Sequence, residues 1–429
     1  MRSSAFSILV ALLFFLNGCR ESLTMSEKET AEILYTLSSD EMKGRHALSE
    51  EIKLVENFIA DKFDMYGLEQ PDSQSDYFQS FNLQDVSIVS EQLVINNQEV
   101  DKELYFGFYT DNLVELSETN TELVYLEAGR NFRNQFNQFR NSSENLIIVV
   151  DPSYEDIFQR YQSFYSRNNR IMEGEIRGNI IFVLNDAPIN NYSAVITTES
   201  EYHGLRNVVG KITGNRTNEI VIFSAHHDHL GIRNAVSSDS IANGANDNAS
   251  GVTAVLQLAK HFAKQPKPER TLLFVTFTAE EMGGFGSEYF SKQQDPDEIV
   301  AMFNIEMIGK PAVSGPNSAW ITGFERSTFG EILSESAHNS NYEFYPDPYP
   351  NQNLFYRSDN AVLARLGVPA HSISTTPIDV DRDYHEVTDE FDTIDISHLN
   401  NTIHAIAKAA EIIISGRATP TRVDTSLVD

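Results

Sequence analysis

Apolar positions along this chain follow two periods. Ile52, Val55, Ile59 and Phe63 recur at helical spacing, and Gly67 stands where a left-handed cap would end the helix. Residues 26 to 82 accordingly read as helical and then irregular. Between 83 and 203, short apolar runs such as Leu146–Val150 and Ile180–Leu184 predict strands, separated by polar stretches rich in Asn and Arg. From about residue 204 the pattern sharpens. Residues 208–212 and 220–225 predict strands bounded by Gly214 and turn residues. Residues 248–264 place Val252, Val255, Leu256, Ala259 and Phe262 on one helical face, with Asn248 or Ser250 as the cap. Residues 271–278 predict a buried strand, a short helix follows near 287–292, and 300–305 predicts another strand. A Pro-, Asn- and Tyr-rich loop (341–353) precedes a strand at 369–374. The closing helix repeats Ile396, Leu399, Ile403, Ile406, Ala410 and Ile413 at steps of three and four.

Strands alternating with helices argue for an α/β fold on a mostly parallel central sheet. The chain divides into an N-terminal helical part (20–82), an inserted accessory segment (83–203), a core (204–415) and a tail (416–429). No internal repeat is evident. With 429 residues the chain can bury a large core, and 41% hydrophobic and 22% charged residues are ordinary for a globular protein.

The net charge of −30 is not ordinary. Such a field repels phosphates, which argues against nucleic acid or an anionic membrane surface as partner. The acidic residues spread along the whole chain, as on a heavily solvated surface. At the N-terminus, Met1-Arg2 precedes an apolar run from Ala5 to Leu16, shorter than the roughly 20 residues of a spanning helix. This is the shape of a signal-peptide hydrophobic region (1–19). It ends in Leu16-Asn17-Gly18-Cys19, which resembles the bacterial lipoprotein processing site, although Asn17 is unusual in that pattern. Cys19 is the only cysteine, so no intrachain disulfide is possible. The expectation is export to a bacterial cell envelope, with the membrane contacted through a lipid on Cys19 alone.

Five segments place metal-type ligands just beyond expected strand ends, where open α/β sheets build their sites. They are Ala225-His226-His227-Asp228-His229-Leu230-Gly231, Asn243-Gly244-Ala245-Asn246-Asp247-Asn248-Ala249-Ser250-Gly251, Thr278-Ala279-Glu280-Glu281, Phe303-Asn304-Ile305-Glu306-Met307-Ile308-Gly309 and Asp383-Tyr384-His385-Glu386. In this order they closely resemble the di-zinc exopeptidase family of bacterial leucyl aminopeptidases, aminopeptidase Y, glutamate carboxypeptidase and glutaminyl cyclase. The resemblance spans 204–415 and extends weakly to Asp40-Glu41-Met42-Lys43-Gly44-Arg45.

It implies a three-layer sandwich with a mixed, mostly parallel sheet between helices, and two Zn2+ ions per chain. By position, Asp247 bridges the ions, Glu281 and His385 complete one, and His226 and Glu306 complete the other. Glu280 is the implied general base, and Asp228 orients His226 from behind. The implied reaction is hydrolysis of an N-terminal peptide bond by hydroxide held between the zinc ions. The charges suit this assignment, because three carboxylates and one hydroxide balance two zinc ions in a low-dielectric cleft.

His227 and His229 are expected to be structural or to support ligands, and His371 and His398 to be packing or surface residues. Glu306 departs from the family, which more often has Asp there, and this puts filling of that metal position in question. Competing readings are a glutaminyl cyclase with one zinc, a carboxypeptidase using Arg130, Arg133 and Arg140 for substrate carboxylates, and a non-catalytic binding protein.

Overall fold

The computed structural model describes residues 25–71, 75–166, 169–172, 174–338 and 340–428. The signal segment and Cys19 lie outside the described residues. Two helices come first, α1 (Glu27–Leu37) and α2 (Ile52–Tyr66), followed by β1 (Phe78–Ile95) and β2 (Gln98–Glu99). Next are β3 (Tyr105–Phe108), β4 (Leu113–Ser117), β5 (Glu122–Tyr125), α3 (Phe132–Phe139), β6 (Leu146–Val150), α4 (Glu155–Tyr165), β7 (Arg170–Met172) and β8 (Ile180–Leu184). The chain continues through β9 (Tyr192–Ile212), β10 (Arg216–His226), β11 (Gly231–Val236), β12 (Asp239–Ala242), α5 (Ser250–Ala263), β13 (Arg270–Phe277), α6 (Phe285–Lys292) and β14 (Ile299–Ile305). It closes with β15 (Ser318–Ile321), α7 (Phe329–Ala337), β16 (Glu343–Pro346), α8 (Asn360–Arg365), β17 (Ala370–Ser374) and α9 (Ile396–Ile414).

The central sheet runs β16-β15-β17-β14-β10-β13-β9-β1-β2. Strands β13, β10, β14 and β17 are mutually parallel, while β9 and β15 join antiparallel on either side. Its central strands are apolar on both faces, as a sheet covered by two helical layers requires. Val221, Phe223 and Ala225 of β10 face one core with α1, α2, α5, α7 and α9, whereas Ile222 faces the other with α6 and α8. The result is the mixed three-layer α/β sandwich that the sequence implied.

The early stripe Ile52, Val55, Ile59 and Phe63 is buried on α2, which ends at left-handed Gly67. Ala249 takes the position before α5, so neither expected residue occupies it, but Asn248 still satisfies a first-turn N–H. Its Oδ1 accepts the Gly251 N–H at 3.1 Å, while the Ser250 hydroxyl donates back to the Asn246 carbonyl. The Tyr-rich stretch expected as loop contains the short edge strand β16. Only Phe344 of its four residues is buried, which leaves too little alternation to read from sequence. Residues 83 and 203 lie inside β1 and β9, which pair along almost their whole lengths. Between these two strands the chain builds a second sheet, β3-β8-β6-β5, around an aromatic core.

Besides the apolar packing of α1 and α2, one buried guanidinium ties the N-terminal part to the core loops. Arg45 donates to the carbonyl oxygens of His227, Leu37 and Gly244 at 2.9 Å each, and also to those of Asn243 and Asp247. Burial lowers its pKa to about 10, so it stays charged at neutral pH, and Asp247, Asp389, Asp228 and Glu281 oppose that shift. Replacing Arg45 with Met strands these carbonyls, and the unfolding free energy is expected to fall by about 3–5 kcal/mol. Arg45→Lys should recover less than half of this, because an ammonium lacks the planar fork. Denaturant titration of the three proteins checks both values. At Gly251, an added Cβ would stand 2.3 Å from the Ile305 carbonyl oxygen, so α5 sits directly against the end of β14. Gly251→Ala is expected to cost about 1–3 kcal/mol and to lower the thermal midpoint in calorimetry.

Candidate metal centre and its cleft

Parallel strands β10, β13, β14 and β17 all end at the same edge of the sheet, and loops beyond that edge carry the polar residues. Register sets the first pair. Ser224 of β10 pairs with Asn304 of β14, and the same register carried two residues further brings His226 beside Glu306. Beneath them the Ser224 hydroxyl donates to Asn304 Oδ1 at 2.8 Å, and Asn304 Nδ2 donates to Ser358 and Ser372. The Ser358 hydroxyl in turn donates to Glu306 Oε2 at 2.7 Å.

His226, Asp247, Glu280, Glu281, Glu306 and His385 all line one cavity of about 300 Å³. His226 Nε2 is 3.1 Å from Glu306 Oε1 and 3.3 Å from Asp247 Oδ1. On the other side of Asp247, His385 Nε2 is 3.4 Å from Asp247 Oδ2 and 3.3 Å from Glu281 Oε2. Two donors that share a tetrahedral zinc at about 2.05 Å are about 3.3 Å apart. These residues therefore fit zinc in spacing and in donor chemistry, and Glu306 reaches His226 despite its extra methylene.

A third imidazole enters the same cluster. The ligand atoms of His229, Asp247 and Glu281 lie within 4.8 Å of one another, as do those of His226, Asp247 and Glu306. His229 Nδ1 is 2.8 Å from Glu281 Oε1 but 3.9 Å from Asp247. That is a hydrogen bond to one carboxylate and not the spacing of a shared ion. In the sequence, only the neighbouring His-x-Asp-His spacing signals this role.

Asp228 acts mainly through its neighbours. His226 Nδ1 lies 3.1 Å from the main-chain carbonyl of Asp228, and the carboxylate is farther, at 3.7 Å. That carboxylate accepts the Glu280 and Glu281 N–H groups at 3.1 and 3.3 Å, and so shapes the turn after β13. Asp389, which the motif reading missed, does the same for the next loop. Its carboxylate accepts the Asn246 and Asp247 N–H groups, and burial nonetheless raises its pKa to about 6. The Asp247–Asn248 peptide bond is cis.

Electrostatics separates the two adjacent glutamates. Burial pushes Glu280 well above the usual carboxylate range, and Asp359, Glu281 and Glu306 add to this while His226 opposes it. Burial and Asp247 act in the same direction on Glu281, but hydrogen bonds from His229 and His385 hold it down at about 2. One carboxyl is thus poised to carry a proton, and the other is held ionised.

The remaining histidines are structural in their contacts. His227 is buried beside Thr276, and burial lowers it to about 3. His371 stacks on Phe329 and is bonded to Ser327 and Thr322, and His398 is buried. Arg130, Arg133 and Arg140 do not line the cavity, whose arginine is Arg357. Arg130 pairs with Glu127, and Arg140 donates to the Tyr165 hydroxyl.

Comparison with known proteins places the chain among similar folds and sequences. Residues 207–410 match the family model described as Peptidase family M28. Leucine aminopeptidase 2 of Trichophyton rubrum is 29% identical over 253 residues, covering 52% of this chain and 48% of that protein. A probable zinc metalloprotease of Pyrenophora teres f. teres is 30% identical over 108 residues, 24% of this chain and 22% of that one. The chain thus spans about half the length, or less, of these curated relatives. Among solved structures, an aminopeptidase from Aneurinibacillus sp. strain AM-1 is similar with a TM-score of 0.54 at 19% identity, over 95% of this chain and 96% of that one. A zinc aminopeptidase from Bacillus subtilis gives 0.56 at 14% identity, over 92% and 96%. At such identities the likeness is one of fold. Residues 207–410, the stretch that matches the M28 family model, supply all four carboxylates that line the cavity.

Proposed function

We propose that the chain is a zinc-dependent aminopeptidase that removes N-terminal residues from peptides. The observation that carries this reading is the set of four ligand separations between 3.1 and 3.4 Å around Asp247, which suit two ions sharing one carboxylate. His226, Asp247 and Glu306 would hold one Zn2+, and Asp247, Glu281 and His385 the other, with Glu306 a working ligand. Zinc, when bound, supplies Lewis acidity toward a carbonyl and acidifies water.

The protein's own groups do the rest. Glu280 lines the cavity and is bonded to no imidazole among the described residues, so it takes the proton of the attacking water and delivers it to the leaving amine. His229 holds Glu281 from the rear, and Ser358 holds Glu306. Arg357 is the one arginine among the cavity-lining residues, whereas a substrate carboxylate calls for clustered guanidinium groups, and this favours a free N-terminus over an acidic C-terminus as the group recognised.

Cys19 would carry a lipid that keeps the exported protein at the envelope. The processing-site pattern supports this, and among the described residues no helix is long and apolar enough to cross a membrane.

The purified protein should contain two zinc ions per chain and hydrolyse aminoacyl-p-nitroanilides, leaving N-blocked peptides and N-terminal glutaminyl peptides untouched. One zinc with glutaminyl cyclisation, or neither metal nor turnover, would contradict the proposal. Glu280→Gln should lower kcat by about 10²–10⁴-fold while zinc content by mass spectrometry stays unchanged. Chelation should abolish turnover, and added zinc should restore it.

A further inference from the structure

Phe164, the penultimate residue of α4, lines the cavity although it comes from the segment between β1 and β9 and not from residues 207–410. The residue is 58% exposed. The next residue, Tyr165, turns inward, where its hydroxyl accepts a hydrogen bond from Arg140 at 2.7 Å and its ring packs on Phe136 and Phe108. Phe164 stands edge-on to Tyr165 with ring centroids 4.9 Å apart. A packed aromatic platform therefore presents an apolar ring to the cleft.

The root of this segment, together with β1 and β9 that carry it, packs on the core beside the catalytic turn. Phe81, Leu83, Met172 and Leu205 form one buried cluster with Ala279, and Met282 and Tyr289 pack against it. Phe81 stacks on Tyr289 at 4.7 Å, and Glu175 pairs with Lys292 of α6. Met282 and Gly283, which directly follow Glu280-Glu281, line the cavity together with Phe164.

We infer that Phe164 is a specificity-determining residue that contacts the substrate side chain immediately after the scissile bond. The inference rests on the proposed aminopeptidase reading and deepens it. Glu280 must come within hydrogen-bond reach of the leaving nitrogen, about 2.6–3.2 Å. The residue bearing that nitrogen then lies along the turn that continues from Glu280 to Gly283, the turn on which the inserted segment docks. An apolar or aromatic side chain there can stack on Phe164, and the segment from 83 to 203 acquires a role in choosing substrate.

The test compares an aminoacyl amide, whose leaving group is ammonia, with the matching aminoacyl-phenylalanine dipeptide. Phe164→Ala should raise KM for the dipeptide about tenfold, from the burial of one ring, with kcat unchanged. The same variant should leave both constants for the amide and the zinc content unaltered, and Phe164→Trp should keep the wild-type dipeptide KM. An unchanged dipeptide KM in Phe164→Ala, or an equal loss on the amide, overturns the inference while leaving the aminopeptidase reading intact. Failure of the wild-type protein to hydrolyse either substrate overturns the proposed function, and this inference with it.

Discussion

Three carboxylates, those of Asp247, Glu281 and Glu306, converge on one poorly solvated point, and most of the surrounding structure answers that constraint. Like charges this close repel strongly in a low-dielectric cleft. Here each carboxylate meets an imidazole: His226 lies between Asp247 and Glu306, and His385 between Asp247 and Glu281. His229 adds a second partner for Glu281, and Arg45 lends positive charge from behind while bonding only to carbonyls. Such an arrangement is costly as a purely structural device, because apolar residues would fill the space with less desolvation. It makes physical sense as a receptacle for cations.

The backbone bears the same signature. Ala279 precedes Glu280, Met307 follows Glu306, and His385 is itself a ligand candidate. All three have positive φ (56°, 51° and 62°) without being glycine. Each costs of order 1–3 kcal/mol, and such strain persists only where surrounding contacts over-determine it. Those contacts are present. Met307 N–H donates to Asn248 Oδ1, its carbonyl accepts the Ser374 and Thr376 hydroxyls, and Lys310 bridges Asp381 and Asp383 in the loop that carries His385. The sheet supplies register, and the loops convert it into convergence.

Much of this was legible in the sequence, and the gaps have physical causes. Central strands such as 271–278 stood out because burial on both faces leaves a mostly apolar run, broken only by threonines. The candidate ligand segments at His226, Glu280-Glu281 and Glu306 were readable because each closes or directly follows such a strand, whereas Asp247 stood out only through its Gly/Asn turn into a helix. The long hairpin of β1 and β9 was not, since its stalk is partly exposed on both faces and carries little alternation. Asp389 and Arg45 escaped a role for a different reason. They act on main-chain N–H and carbonyl groups of distant loops, and no spacing rule records such contacts. Asp228 was read as a partner of the His226 ring, whereas its carboxylate chiefly holds the turn at Glu280 and Glu281.

The central claim is that Asp247 is shared, so that both metal positions depend on one carboxylate. The most direct measurement is zinc per chain, by mass spectrometry, in Asp247→Asn beside Glu306→Gln, each checked for folding by circular dichroism. The account predicts that a folded Asp247→Asn protein loses both ions, whereas Glu306→Gln loses only one. Retention of one tightly held zinc in Asp247→Asn would contradict it, because Asp247 would then serve a single position and the two sites would be independent.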